Sequence, residues 1–173
     1  MVHMAHIFRA KIQQDEENMQ LDRADRKLLR ALVSNGRAMQ QELGDAAGLS
    51  PSAAARRQKA LEDAGIVRGY RADVNLRKLG LGATVMVTIT LDSQSEEAMG
   101  AFEAAVAESP SIIRCHLMSG RNDYLLVVRA ASIEHYEIIH RQEIARLPRV
   151  ARIETAFALR EVVNRTVPPR LLG

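Results

Sequence analysis

The stretch from Ser50 to Asp63 carries residues whose types and spacing suit one chemical task, contact with DNA. Ser50 can cap a helix, and Pro51 fits the first helical position. Three alanines then leave one face of that helix nearly bare. A basic cluster follows within the next turn: Arg56, Arg57 and Lys59. A short, capped helix of small residues with a basic end suits the major groove of DNA, where phosphates fix position and side chains read base edges. An ordinary surface helix is the alternative reading of this segment alone.

Five residues of this helix are the expected DNA contacts: Ser50, Ser52, Arg56, Arg57 and Lys59. Ser52 and Arg56 lie four apart and therefore share one helix face. Arg57 has two readings, because it can contact a phosphate or brace the fold through an acid such as Asp25 or Glu62.

A second polar segment, Ser119 to Asp123, has the composition of a small-molecule receptor. Gly120 can present backbone N–H groups at close range, which suits a carboxylate, and Asp123 can hold an ammonium group. Arg121 and Asn122 would tune the entry. From these residues alone a plain hairpin turn is the alternative, with glycine supplying a positive φ and aspartate fixing the turn.

Catalytic and metal-binding chemistry finds little support in the sequence. Cys115 and His116 are neighbours on an expected strand, so their side chains point to opposite faces. His135 and His140 are five apart, a poor spacing for shared metal ligation on a helix. We therefore expect no enzyme activity, no cofactor and no metal. A single cysteine fits a reducing cytoplasm, and no apolar run is long enough to span a bilayer.

The charge of the chain is unevenly distributed. Between Leu21 and Gly80 twelve lysines and arginines stand against seven acids, whereas ten basic and eleven acidic residues follow from Leu81 onward. A basic front half on a neutral back half indicates that only one part of the chain meets a polyanion.

The front half reads as three helices. The first starts near Asp22, which can cap it with Asp25 three residues on, and the second covers about Gln40–Ala47. Gly48 can end that second helix in a left-handed conformation, and only Gly48 and Leu49 separate it from the third helix. Two short helices joined by a tight turn form a helix-turn-helix, with the second as the reading helix. Leu61 and Ala64 are its expected core residues, and Ile66–Val74 is expected to be extended, as a small wing or linker strand.

The back half changes period and reads as strand, helix, strand, strand, helix, strand, the split βαβ plan. A capping box from Ser93 to Glu96 would start its first helix, and Ser132 can cap the second. Apolar residues on the sheet face away from the helices would need a cover, and we assign four residues to that face: Met86, Leu126, Val128 and Phe157. Face-to-face packing of two such sheets predicts a homodimer.

These motifs together resemble the Lrp/AsnC, or feast/famine, family of transcription regulators, with most likeness to the leucine-responsive branch. The front signature is Leu21-Asp22-x-x-Asp25-x-x-Leu28-Leu29, Gly36-Arg37, Glu42-Leu43, Gly48-Leu49-Ser50, Arg57, Leu61-Glu62, Gly65-Ile66 and Gly69-Tyr70. The back signature is Cys115-His116-Leu117-Met118-Ser119-Gly120-x-x-Asp123-Tyr124-Leu125-Leu126, Tyr136, Leu147-Pro148 and Thr155. The likeness covers about 21–163.

The resemblance implies an α+β chain with an N-terminal winged helix-turn-helix and a C-terminal ferredoxin-like βαββαβ sensing domain. The expected segments are a flexible tail at 1–20, the DNA-binding domain at 21–74, a linker at 75–82, the sensing and dimerisation domain at 83–163 and a C-terminal tail at 164–173. It further implies dimers that often assemble into octamers, double-stranded DNA as partner, and an amino acid effector. The implied effector residues are Ser119, Gly120, Arg121, Asn122 and Asp123, with Thr155 and Ala156 as a neighbouring response region.

The chain departs from the family pattern at several positions. Met39 stands where a serine or threonine often caps the second helix, and Gly44 stands where alanine is usual. A glycine inside a helix costs about 1 kcal/mol relative to alanine. The alanines at 53–55 remove polar groups that relatives can use on bases, which leaves the operator sequence open.

A cytoplasmic, ligand-responsive, sequence-specific transcription factor is the function these features favour. An architectural DNA-binding protein without an effector is the alternative, since it needs the same front half but not the Gly120 loop. A small enzyme on the ferredoxin-like half is disfavoured, because no acid–base constellation accompanies that fold.

Overall fold

The computed structural model describes residues 20–172, which form two compact units. The first unit contains the described residues up to Ala72 together with the segment that begins at Asn164, and the second runs from Asp73 to Val163. The tail expected at 1–20 lies, except for Gln20, outside the described residues.

Three helices build the first unit: α1 (Arg23–Ser34), α2 (Gln40–Ala47) and α3 (Pro51–Asp63). Their buried apolar residues form one cluster: Leu28, Leu32, Leu43, Ala47, Ala54 and Leu61. Leu61 is a core residue as expected, whereas Ala64 is exposed. Ala54 takes the second core position of α3 instead, because it lies seven residues before Leu61 and so on the same face.

The helix ends use the expected caps and one unexpected one. Asp22 accepts a hydrogen bond from the Asp25 N–H at 2.8 Å, and the Asp25 carboxylate accepts one from the Asp22 N–H at 3.1 Å. Met39 gives α2 no side-chain cap, as predicted, but the Glu42 carboxylate accepts a hydrogen bond from the Met39 N–H at 2.6 Å. Gly48 ends α2 with a φ of 72°.

Gly44 lies where α2 and the turn to α3 approach most closely. A Cβ at this position would come within 2.7 Å of the Leu49 carbonyl oxygen. The Leu49 N–H donates to the Gly44 carbonyl oxygen at 2.8 Å, which holds the turn against the helix. The glycine that weakens α2 by propensity therefore permits the tight turn of the helix-turn-helix.

The segment after α3 differs from the expected wing strand, because residues 66–82 contain no strand. The segment is fixed to α3 by Tyr70 instead. The Tyr70 hydroxyl donates to Glu62 Oε1 at 2.8 Å and accepts from Gln58 Nε2 at 2.6 Å. Burial, reinforced by the Glu62 hydrogen bond, raises the pKa of Tyr70.

The C-terminal segment returns to α1 within the first unit. A short 3₁₀ turn, Pro169–Leu171, brings the Leu171 carbonyl oxygen to within 3.0 Å of Arg26 Nη1. Arg30 donates in the same way to the Leu172 carbonyl oxygen.

Four strands and two α-helices build the second unit: β1 (Ala83–Leu91), α4 (Glu96–Ala107), β2 (Ile112–Leu117), β3 (Tyr124–Ala130), α5 (Ile133–Gln142) and β4 (Val150–Ala158). A 3₁₀ turn, Ile144–Arg146, follows α5. All paired strands are antiparallel, in the order β2-β3-β1-β4. This is the ferredoxin-like arrangement that the sequence predicts. None of the helices within residues 20–172 is long and apolar enough to cross a membrane.

The predicted N-terminal cap is correct for α5 and wrong for α4. Ser132 caps α5, since its side chain accepts from the His135 N–H. The Ser93 capping box is wrong: α4 begins at Glu96, and Ser95 accepts from the Ala98 N–H. Both serines precede acidic residues, so the sequence pattern alone did not separate them.

The register of the strands corrects the assignment of the sheet faces. Met86 lies opposite Val127 and Ala156 on the face away from the helices, since directly paired residues share a face. Leu126 and Val128, assigned to that open face from the sequence, are fully buried in the core on the helix side. Phe157 also faces the helices, with its ring centroid 5.4 Å from that of Tyr136.

Candidate DNA-binding and effector-binding sites

Helix α3 presents one polar face that takes no part in the core. Ser52, Arg56 and Lys59 are exposed and recur at four and three residues, so they form a line along the helix. Ala54 and Leu61, on the opposite side, are completely buried and fix the rotation of the helix. This rotation brings three of the five residues expected to contact DNA onto one accessible surface.

Arg57 lies off that line and joins α3 to the start of α1. Its Nη1 atom lies 2.7 Å from Asp22 Oδ2 and 2.7 Å from Asp25 Oδ1. The Arg57 side chain is 34% exposed and that of Asp25 only 6%. Hydrogen bonds to Asp25 and then Asp22 raise the pKa of Arg57. The bracing alternative for Arg57 is thus realised through Asp25 rather than Glu62.

The same brace changes the titration of its exposed partner. The backbone N–H of Asp25 and then the Arg57 guanidinium lower the pKa of Asp22. The capping box of α1 and the ion pair to α3 therefore both favour the charged carboxylate, so Asp22 couples the two features.

The remaining DNA candidates are held more weakly. Ser50 Oγ caps α3 by accepting from the Ala53 N–H at 3.2 Å. Lys59 Nζ lies 3.0 Å from Asp63 Oδ1, in an exposed pair of the kind worth less than about 1 kcal/mol. Arg56 makes no ion pair within the described part of the chain.

Gln40 and Gln58 form a link between α2 and α3 that the sequence does not reveal. Gln40 Nε2 donates to Gln58 Oε1 at 2.7 Å, while the buried Gln40 Oε1 has no hydrogen-bond partner among residues 20–172. In the sequence both glutamines lie in polar stretches and resemble solvated side chains. Only the fold, which brings them together, reveals the hydrogen bond.

The β2–β3 loop, residues 118–123, is a six-residue loop closed by a backbone hydrogen bond between its ends. The Met118 N–H donates to the Asp123 carbonyl oxygen at 2.8 Å, and Gly120 adopts a φ of 143°. Residues that carry a side chain rarely adopt such a φ, so glycine is needed for the loop conformation itself. The glycine part of the hairpin alternative is therefore confirmed, whereas Asp123 contributes only its backbone carbonyl oxygen to the turn and its carboxylate is engaged outside the loop.

Asp123 is buried and holds this loop to the rest of the unit. Only 6% of the residue is exposed. Its Oδ2 atom accepts from the Leu91 N–H at 2.7 Å and its Oδ1 atom from Gln94 Nε2 at 2.7 Å. Both carboxylate oxygens thus fix the connection between β1 and α4, and they are not presented to solvent for an ammonium group.

Asn122 instead contacts a group that sequence reasoning missed, the guanidinium of Arg152. Asn122 Oδ1 lies 3.3 Å from Thr90 Oγ1 and 3.3 Å from Arg152 Nη2. Arg152 Nη2 is also 3.4 Å from Thr90 Oγ1. Because Arg152 is 30 residues from Asn122, only the pairing of Thr90 with Arg152 across β1 and β4 brings the arginine to the loop.

The two response residues expected on β4 lie apart from that loop. Thr155 Oγ1 makes a 2.8 Å hydrogen bond with the Tyr136 hydroxyl on the helix side of the sheet. Ala156 lies opposite Met86 on the open face. Of the described hydrogen bonds, none joins either residue to 118–123. Ser119 and Arg121 lie within the loop and are exposed.

A recess of about 360 Å³ between α4 and β2 is lined by Cys115, Glu103 and Tyr124 among other residues. Burial, and then the charge of Glu103, raise the pKa of Cys115 to about 11. The thiol is therefore protonated near neutral pH, which disfavours a nucleophilic role. The described part of the chain also contains no cluster of residues able to hold a metal ion.

Two family models match the chain. The winged helix-turn-helix DNA-binding model matches residues 21–68, and the Lrp/AsnC ligand binding domain model matches residues 84–168. The first spans α1 to α3 with the start of the following segment, and the second spans nearly all of the sheet unit.

Individual relatives agree with both matches. The Bkd operon transcriptional regulator of Pseudomonas aeruginosa is 33% identical over 87% of this chain and 98% of its own length. The leucine-responsive regulatory protein of Salmonella typhimurium is 37% identical over 82% of this chain and 87% of its own. A transcriptional regulator from Neisseria meningitidis, solved in complex with L-Met, superposes with a TM-score of 0.81 at 31% identity, covering 86% of this chain and 97% of its own. With a DNA-binding helix-turn-helix ahead of a ligand-binding sheet unit, the chain belongs to the Lrp/AsnC family of transcriptional regulators.

Proposed function

We propose that this regulator binds double-stranded DNA through the polar line of α3 and changes its DNA binding when an amino acid binds the sheet unit. The single observation that carries the DNA half is the rotation of α3. Arg57 is held by two carboxylates at 2.7 Å, while Ser52, Arg56 and Lys59 remain exposed along one face. Phosphate contacts from Arg56 and Lys59, with Ser50 and Ser52 at the helix start, follow from that placement.

Salt-dependent binding tests the DNA half. Genomic DNA fragments captured by the protein supply a duplex, and fluorescence anisotropy measures its affinity between 50 and 300 mM salt. Replacing Arg56 by alanine is expected to weaken binding and to reduce the slope of log K against log salt by about 1. Arg141→Ala, which removes an exposed arginine of α5, is the matched control and is expected to leave the slope unchanged. An unchanged slope for Arg56→Ala removes that residue from the interface.

The amino acid half is supported by the match to a ligand-binding domain and by the L-Met complex of the Neisseria relative. A thermal-shift screen with the twenty L-amino acids tests it, because a ligand that prefers the native state raises its melting temperature. A rise with one or a few amino acids supports an effector. A flat result with all twenty favours the architectural DNA-binding alternative.

The open sheet face supports the proposed homodimer. Met86 and Ala156 remain accessible on the side of the sheet away from the helices, beside the already buried Val127, and packing against a second copy would cover them. Met86→Lys is expected to shift the sedimentation mass to that of a monomer, with octamers the expected larger species of the wild type. The relatives are bacterial regulators, so we place the protein in the cytoplasm, where the chromosome lies.

A further inference from the structure

A polar cluster lies at the end of the open sheet face that adjoins the β2–β3 loop. It consists of Thr88, Thr90, Asn122, Arg152 and Glu154, contributed by β1, the loop and β4. Arg152 is at its centre, since it lies within hydrogen-bond distance of both Asn122 and Thr90 and faces Glu154.

The partners of Arg152 are distant for such a strong donor. Its Nη2 contacts are 3.3 and 3.4 Å long, and Nε lies 3.4 Å from Glu154 Oε1. Charge-assisted hydrogen bonds between a guanidinium and a carboxylate are about 2.7–2.9 Å long. The Nη1 atom has no hydrogen-bond partner among residues 20–172. Because 44% of its side chain is exposed, the Arg152 guanidinium can donate two short hydrogen bonds to the carboxylate of a ligand.

Two other charged residues at the loop, Asp123 and Arg121, are less suited than Arg152 to bind a ligand. Asp123 is buried with both oxygens engaged at 2.7 Å, so it positions the loop rather than meeting a ligand. Arg121 is exposed on the loop but shares no described hydrogen bond with Asn122 or Thr90. Among these three charged residues of the described chain, Arg152 is the one that combines exposure, a place on a strand and contact with the loop.

We propose that Arg152 binds the carboxylate of the α-amino acid effector, beside Asn122 and Thr90. The proposal rests on the amino acid response put forward above and adds the residue that recognises the acid group. It also explains how ligand binding reaches the loop, because a carboxylate drawing the guanidinium away from Asn122 Oδ1 breaks the link between β4 and residues 118–123.

The position of Arg152 is compatible with a dimer through the open face. The apolar pairs of that face centre on Met86, whereas Thr90 and Arg152 lie four residues nearer the loop end of β1 and its partner. Polar, partly exposed residues are typical of the rim of an interface. Arg152 therefore remains reachable at the edge when the centre of the sheet is covered.

The test compares an acid with its amide in two proteins. Wild type and Arg152→Gln are titrated calorimetrically with the twenty L-amino acids and then with the carboxamide of the amino acid that wild type binds most tightly. Wild type is expected to prefer the acid over the amide by roughly 10- to 100-fold, the range for a hydrogen bond to a charged group. Arg152→Gln is expected to lose most of that preference, with its weak affinity for the amide unchanged.

Controls separate this role from others. Arg141→Gln, an exposed arginine on α5, is expected to keep the wild-type preference, and Arg152→Gln is expected to keep wild-type mass in sedimentation and wild-type DNA affinity without amino acid. If Arg152→Gln retains the full preference for the acid, or if it dissociates the assembly, the assignment is wrong. Failure of wild type to bind any of the twenty overturns both this assignment and the amino acid response.

Discussion

The reading helix and the β2–β3 loop place charged residues in the same two roles. On α3, Arg57 is engaged with two carboxylates at 2.7 Å, while its neighbour Arg56 is exposed. At the loop, Asp123 is buried between two donors at 2.7 Å, while Arg152 is held only by contacts of 3.3 Å or more. In each unit one charged residue builds the surface and another remains available to a partner.

Within each region, the two charged residues differ in their hydrogen bonding and in their exposure. Arg57 and Asp123 are both prominent in the sequence motifs, yet short hydrogen bonds give both of them positioning roles, and Asp123 is buried as well. A charge with short hydrogen bonds would lose them on binding a ligand, whereas a charge with long ones loses little. Bond length and exposure, rather than prominence in a motif, therefore separate the two roles.

Removal of Arg57 is expected to have the largest effect. Arg57→Ala leaves the buried Asp25 carboxylate without its cation, and we expect the free energy of unfolding to fall by about 2–3 kcal/mol, below the usual 3–5 because Arg57 is 34% exposed. Arg56→Ala, one residue away, is expected to change stability by less than about 0.5 kcal/mol. Urea denaturation measures both. Equal losses for the two variants would remove the distinction between bracing and available arginines.

The corresponding change at the loop is Asp123→Ala. It strands the Leu91 N–H and the Gln94 amide, so we expect a loss of about 1–3 kcal/mol. Arg121→Ala, in the same loop but exposed, is the control and should be nearly neutral in the same denaturation experiment. Asp123 would count as an available ligand instead if its replacement spared stability and abolished amino acid binding.

Gly44 tests whether the helix-turn-helix turn has the geometry described. Gly44→Ala gains helix propensity but puts a Cβ 2.7 Å from the Leu49 carbonyl oxygen, so a net loss of about 1 kcal/mol or more is expected. Gly100→Ala in α4 is the matched control, since its Cβ would meet nothing within 4 Å, and it should stabilise by about 0.5–1 kcal/mol. Thermal denaturation of both variants measures the contrast, and stabilisation by Gly44→Ala would show that the turn is looser.

The smallest expected effect is the pH-dependent contribution of Asp22 to stability, because this carboxylate is exposed. Its pKa is below the ordinary value of 3.8, so its charged form stabilises the folded state at all pH values above that value. This contribution disappears as the pH falls below 3.8 and through the lower pKa of the folded state. The stability difference between wild type and Asp22→Asn should therefore be constant from pH 7 to 5 and vanish near the acid end. A difference that instead grows on acidification would contradict the direction of the shift.

Local chemistry in the sequence was enough for most of the elements. The Asp22 and Asp25 capping box, the Ser50 cap, the Gly48 stop and the Ser132 cap all act within four residues, so their spacing along the chain specifies them. The spacing of apolar residues along the chain likewise predicted the order of strands and helices in the second unit, and this order is the ferredoxin-like one. Where two nearby serines offered the same local pattern, as at Ser93 and Ser95, the choice between them was wrong.

Tertiary structure decided which face each residue occupies and which charges meet. One residue of register moves Leu126 from the open face to the core, and only strand pairing fixes that register. The pairs Arg57–Asp25 and Arg152–Asn122 join residues 32 and 30 apart. The sequence left Asp25 and Glu62 open as partners of Arg57 and did not indicate the second pair. The sequence alone predicted the helices of the first unit, the ferredoxin-like order of the second and the basic third helix, because these depend on composition and short-range pattern, and it carried the motifs on which the family resemblance rests. The division between charges that hold the fold and charges free to bind depends on distances between segments, which only the folded chain sets.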